Sequence, residues 1–213
     1  RALRLPSCRC VFALADLMGG PQPGWGLAAG LLGHALRVHP DAFESKEHFS
    51  MDWYYPVLAG ALSGRTALVR FEQRWDDFVV PGMGARCVDD HPWVTGAETC
   101  ELALALDAVG ERDRAVVMVA SMQHLRGYDG AYWTGYVYAD DASWPVEQSS
   151  WTAAAVILAV DALSNTTGGA GLFRGAGLPQ VKDSVGEECG CRDGWASADR
   201  VAGLSAHSLQ NAK

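Results

Sequence analysis

The chain has 213 residues, 49% of them hydrophobic, with a formal net charge of −8. That length allows one large domain or two small ones with a real core, and the composition is not that of a disordered chain. The acidic balance argues against nucleic acid and anionic membrane surfaces as main partners.

The opening segment, RALRLPSCRCVFALADLMGG, has a short apolar run and lacks a clear cleavage site, so it reads as part of a helix or a poorly defined end rather than a signal peptide. GLAAGLLGHAL (26–36) and TAAAVILAVDAL (152–163) are the most apolar runs. Both are about half the ~20 residues that a membrane span needs. No membrane span and a cytoplasmic location are therefore expected.

SMDWYYPVLAGALSG (50–64) reads as a carboxylate, aromatics and an apolar helix ending in Gly. Its partner helix is RTALVRFEQRWDDFV (65–79), with Leu68, Phe71, Trp75 and Phe78 at helical spacing. HPWVTGAETCELALALDAVGERDRA (91–115) repeats the theme, followed by ERDRAVVMVASMQHLR (111–126), whose predicted buried stripe is Val116, Val119, Ala120, Met122 and Gln123. Gly64 and Gly110 suit helix ends, and Pro92 and Pro145 precede helix starts. YWTGYVY (132–138) alternates and fits a short strand or an ordered loop. SWPVEQSSWTAAAVILAVDALSN (143–165) is a third Trp-then-helix unit. The leading Trp residues at 53, 93 and 144 give a period of about 40–50 residues, as in stacked helical hairpins.

The fold expected from this pattern is all-α: hairpins over residues 1–179, then a poorly ordered tail over 180–213. Loops at the heads of the first helices would converge on one cleft. An exposed edge of such an array would be apolar and would favour a homodimer. Cys8, Cys10, Cys189 and Cys191 form two CxC pairs, too close for the usual zinc spacing, so free thiols are expected and no metal or other cofactor is assigned. Cys100 falls inside a helix pattern and is expected in the core.

Alternating hairpins with such loops resemble the α/α toroids, both the six-hairpin glycosidases and the terpenoid cyclase and prenyltransferase group. WPVEQSSWTAAAVILAVDAL resembles the late segment of inverting glucoamylase-type enzymes, which implies a general-base role for Glu147. YDGAYWTG resembles sugar-contacting loops of the first group and a structural repeat of the second. Residues 24–173 also look like actinobacterial prenyltransferase-like proteins. A full toroid needs about twice the helices counted here, so the chain looks like a C-terminal half. Neither a DxDD nor a DDxxD motif occurs in the sequence, which weighs against cyclase chemistry.

Inverting hydrolysis needs an acid and a base carboxyl on opposite faces of a sugar. The residues offer Glu147 as base, or as a first-turn helix carboxylate. Asp52, Glu98 and Asp129 are the acid candidates. Their bland roles are an N-cap for Asp52, a buried partner of Arg86 or His91 for Glu98, and a turn residue for Asp129. Glu101 is expected to project elsewhere, into solvent. Trp53, Tyr54, Tyr55, Trp93, Tyr132, Trp133, Trp144 and Trp151 are the candidate sugar platforms, although at least half of them fit a helical core equally. His91, beside Asp89 and Asp90, is a candidate contact or a simple loop hydrogen-bonder. The expected function is a carbohydrate-active protein that hydrolyses or binds a glycan. The alternatives are an isoprenoid-acting toroid and a non-catalytic helical scaffold.

Overall fold

The computed structural model describes residues 4–178. Seven helices run along it: α1 (Arg4–Leu17), α2 (Pro23–Val38), α3 (Ser50–Leu58), α4 (Gly64–Phe78), α5 (Gly96–Ala108), α6 (Arg112–Ser121) and α7 (Ser150–Ser164). Five strands lie among them: β1 (Val79–Val80), β2 (Gly84–Arg86), β3 (Trp93–Thr95), β4 (Gly135–Val137) and β5 (Ala142–Ser143). They pair antiparallel in chain order, with Val79 opposite Ala85, Arg86 opposite Val94, Thr95 opposite Gly135 and Val137 opposite Ala142.

This sheet overturns the all-α expectation. The chain is mixed α and β, and a toroid of helical hairpins does not fit it. The reason is local. Each strand has only two or three residues, too few to show an alternating pattern, and each lies in what reads as an interhelical loop. Pro92 accordingly leads into β3 rather than into a helix. The residues near 132–138 do supply a strand, β4.

α5 is the hub. It is hydrophobic on nearly every side, and ten of its thirteen residues are buried. α3, α6 and α7 all pack on it. Gly96 lets α5 start hard against α7: a Cβ there would sit 2.8 Å from Thr152 Cγ2 and 3.0 Å from Met122 Cε. At the other end Gly110 turns the chain at φ +90°, where glycine is at ease. Gly64 instead opens α4, and Gly60 makes the turn after α3.

α4 lies close to where the spacing places it, with Phe71 and Phe78 fully buried. Trp53 stacks on Phe78, with centroids 5.3 Å apart, and meets Phe71 edge-on. On α6 the buried face is rotated from the expected one: Ala115 and Met118 point inward, while Val116 is exposed. Met122 and Leu125 extend that face through a short 3-10 turn. Cys100 is buried, as its helix pattern predicts. The expected tail over 180–213, with Cys189 and Cys191, lies outside the described residues. Among the described residues, no helix is long and apolar enough to cross a membrane.

Candidate active site

β3 runs directly into α5, so the sheet fixes where the first turn of that helix begins. Three residues of α5 escape full burial: Glu98, Glu101 and Ala108. The two glutamates are three positions apart and therefore share a face. They form a narrow polar stripe on a helix whose other polar side chains are the buried Thr99 and Asp107, the latter paired with Arg112 and Arg174.

α3 supplies the opposite wall. Tyr54 is wholly buried, and its hydroxyl donates to Glu101 Oε2 at 2.7 Å. Tyr55 lies near enough to Glu101, and the Cys87 thiol to Glu98, for each glutamate to raise its neighbour's pKa. The two tyrosine rings meet edge-on, 5.0 Å apart. Pro56 lies within the same helix.

The electrostatics follow from this enclosure. Burial raises the pKa of Glu101, and the charge of Glu98 adds to the rise. The hydroxyls of Tyr54 and Tyr55 pull the other way without cancelling it. Burial and the nearby glutamates raise both tyrosines as well. Burial and then Glu98 push the Cys87 thiol up to about 12. A carboxyl biased toward its protonated form beside a second carboxyl is the arrangement that general acid–base chemistry uses.

A second group gathers on the loops beyond β4. The Glu147 carbonyl accepts from Thr134 N at 3.0 Å, and Thr134 O in turn accepts from Gly96 N at 3.0 Å. Glu147 is thus tied through one residue to the start of α5, with its carboxylate exposed and 3.4 Å from Thr134 Oγ1. Asp129 Oδ1 accepts from Ala131 N at 3.1 Å, as its turn role predicts, and from Gln148 Nε2 at 3.4 Å. Asp129 and Glu147 therefore share one loop cluster. Asp52 lies elsewhere, on the outer side of α3, lining a groove of about 200 Å³ with Leu36, Phe43 and Arg70.

The aromatic candidates divide. Trp53 is core, its indole N–H donating to Arg70 O at 2.7 Å. Trp93 and Trp144 meet edge-on at 4.9 Å, and Trp93 Nε1 donates to Trp144 O at 2.8 Å. Trp144 and Trp151 are more than half exposed. Tyr132 and Trp133 are half-buried, with Tyr132 Oη donating to Gln123 at 3.0 Å. His91 is exposed and pairs with Asp90 at 2.6 Å. Arg86, a partner considered for Glu98, is engaged instead by Tyr138 Oη and Asp77 O. Among the described residues no group of three or more His, Cys, Asp or Glu is placed to hold a metal ion.

Glu101 and Cys87 are the site residues that the sequence reading left out. Glu101 is half-buried against Tyr54, not turned to solvent. The signal was available: a helix without a solvent face leaves no solvated position for a glutamate one turn after Glu98.

The chain is similar to a mannosidase. It is 60% identical over 186 residues to the MMP endo-(1,4)-3-O-methyl-alpha-D-mannosidase of Mycolicibacterium hassiacum, a match covering 87% of this chain and 51% of that protein. The chain thus spans about half the length of the curated relative it matches. A match of this extent takes in everything from α3 to α7 wherever it starts, and so includes both carboxylate groups. No family model matches the chain.

Proposed function

We propose that this chain is part of a carbohydrate-active hydrolase that cleaves within a (1,4)-linked 3-O-methyl-α-mannose glycan. The observation that carries this reading is the 60% identity to an endo-mannosidase over 186 residues, a span that includes α3 to α7 and the loops between them. The candidate site supports it with Glu101, a carboxyl of raised pKa on α5, and Glu147, an exposed one on the loop tied through Thr134 to the start of that helix.

In this reading Glu101 is the general acid. Burial and the charge of Glu98 bias it toward its protonated form, against the pull of the Tyr54 and Tyr55 hydroxyls. It delivers that proton to the glycosidic oxygen as the bond to the anomeric carbon breaks. Glu147, exposed to water, is the general base. It takes a proton from the water whose oxygen attacks the anomeric carbon. Both carboxyls then return to their starting states by exchange with solvent. Glu98 acts through Glu101 as a positioning residue. Trp144 presents a ring on which the less polar, methylated face of a sugar can lie.

The test is release of shorter oligosaccharides from a (1,4)-linked 3-O-methyl-α-mannose oligomer, followed by mass spectrometry, with the M. hassiacum protein run in parallel. Cleavage that is lost in Glu101→Gln and in Glu147→Gln supports the assignment. Cleavage that survives both substitutions removes these residues from the chemistry. Neither cleavage nor binding by this chain, with the relative active on the same oligomer, overturns the functional reading for the chain itself.

A further inference from the structure

α7 is a well-formed helix. Ser149 Oγ caps it by accepting from Thr152 N, and Asn165 closes it in the left-handed conformation. Its buried residues, Thr152, Ala155, Val156, Ala159 and Ala162, fall on the side that faces α5 and α6. The exposed positions from Trp151 to Val160 are Trp151, Ala153, Ala154, Ile157, Leu158 and Val160, and every one is apolar. Trp151 is 60% exposed and Ile157 67%. The only ionisable side chain on the helix, Asp161, is turned back onto Thr167, whose N and Oγ1 it accepts at 2.8 and 2.7 Å. The outer face thus offers no charge between Trp151 and Val160, and its one hydrogen-bonding side-chain group is the Trp151 indole N–H. A helix that is apolar all round belongs in an interior, and an uncharged apolar stripe of this length on a surface marks a contact.

From this face and the length of the relative, we propose that the outer side of α7 is an intramolecular interface. Its occupant is an apolar surface of the polypeptide that the M. hassiacum relative carries beyond its match to this chain. The match includes α7 and covers 51% of that protein, so about as much chain again lies outside it there to cover the helix. The occupant is uncharged and apolar, because a charged one would lose its water against α7 without gaining a partner. The inference rests on the apolar face and the extent of the match, and does not need the hydrolytic reading to hold.

Hydroxyl-radical footprinting decides the matter, using the two proteins as they are. In this chain Trp151, Ile157, Leu158 and Val160 should oxidise at the rate of exposed side chains. In the full-length relative, side chains of the helix that aligns with Ser150–Ser164 should be slowed by about tenfold or more, as buried apolar groups are. Rapid oxidation of the outer side of that helix in the relative overturns the proposal. So does protection of α7 in a monomer of this chain, which would make the occupant one of its own segments. Protection in this chain that grows with concentration and vanishes in Ile157→Asp would make the occupant a second copy, and equally overturns it.

Discussion

α5 and α7 lie side by side and are both mostly apolar, yet one is enclosed and the other half bare. α5 buries ten of thirteen residues and α7 five of fifteen. Composition would predict the reverse, since α5 carries three acidic residues and α7 one; the neighbours decide. α5 has α3, α6, α7 and the sheet around it, whereas α7 has α5 and α6 on one side only. The enclosure of α5 is also what raises the pKa of Glu101, since burial disfavours the charged carboxylate.

The largest expected contrast is chemical. With its thiol pushed up to about 12, Cys87 facing α5 should react with iodoacetamide near pH 8 far more slowly than in the unfolded chain. The difference should be about a thousandfold, because only the thiolate attacks and an ordinary thiol has a pKa of ~8.5. Peptide mapping after pulsed alkylation reads this directly. Next comes packing. Leu102→Ala in α5 should cost ~2–5 kcal/mol in a denaturant melt, since the cavity cannot collapse in so tight a setting. Gly96→Ala should cost ~1–3 kcal/mol, because the added methyl meets Thr152 and Met122.

Glu101→Gln should act through pH. The folded-state pKa of Glu101 is raised, so the native protein holds a proton that the unfolded chain releases. Stability therefore falls as pH rises from the ordinary carboxylate range, ~4.3, through the folded value, and is flat beyond it. Glutamine removes that fall and still accepts from Tyr54. The variant should melt higher than the parent at pH 7, and the gap should close toward pH 4. Equal gaps at both pH values would mean that Glu101 is not protonated preferentially in the fold. The smallest effect belongs to α7: Leu158→Ala, at 45% exposure, should change the stability of this chain by no more than ~0.5 kcal/mol.

Much of the helical frame was legible from spacing. α4 was expected over 65–79 and occupies Gly64–Phe78, and α7 lies where its Ala-rich run places it. Those elements are long enough for a 3.6-residue period to show. The sheet was not legible, because two- and three-residue strands carry no period and owe their pairing to partners far along the chain. α6 was placed but turned the wrong way, since valines at 116, 117 and 119 surround the helix and only its neighbours choose a face. Of the site, Glu98 and Glu147 were readable as carboxylates at helix heads. Glu101 was expected to project into solvent, and the packing of α3 on α5 encloses it instead.

The register of the sheet has a consequence for the order of assembly. β3 and β4 are neighbours, with Thr95 opposite Gly135, yet α5 and α6 lie between them in the chain. Joining these strands before the helices form would close a loop of about 40 residues at an entropic cost of about 3 kcal/mol. Once α5 and α6 have docked as a hairpin, their ends already stand together and that cost has largely been met. The central seam of the sheet should therefore zip after the hairpin. In pulsed hydrogen exchange during refolding, α5 amides should gain protection before those of β3 and β4, whereas simultaneous protection would mean that the seam and the hairpin form as one unit.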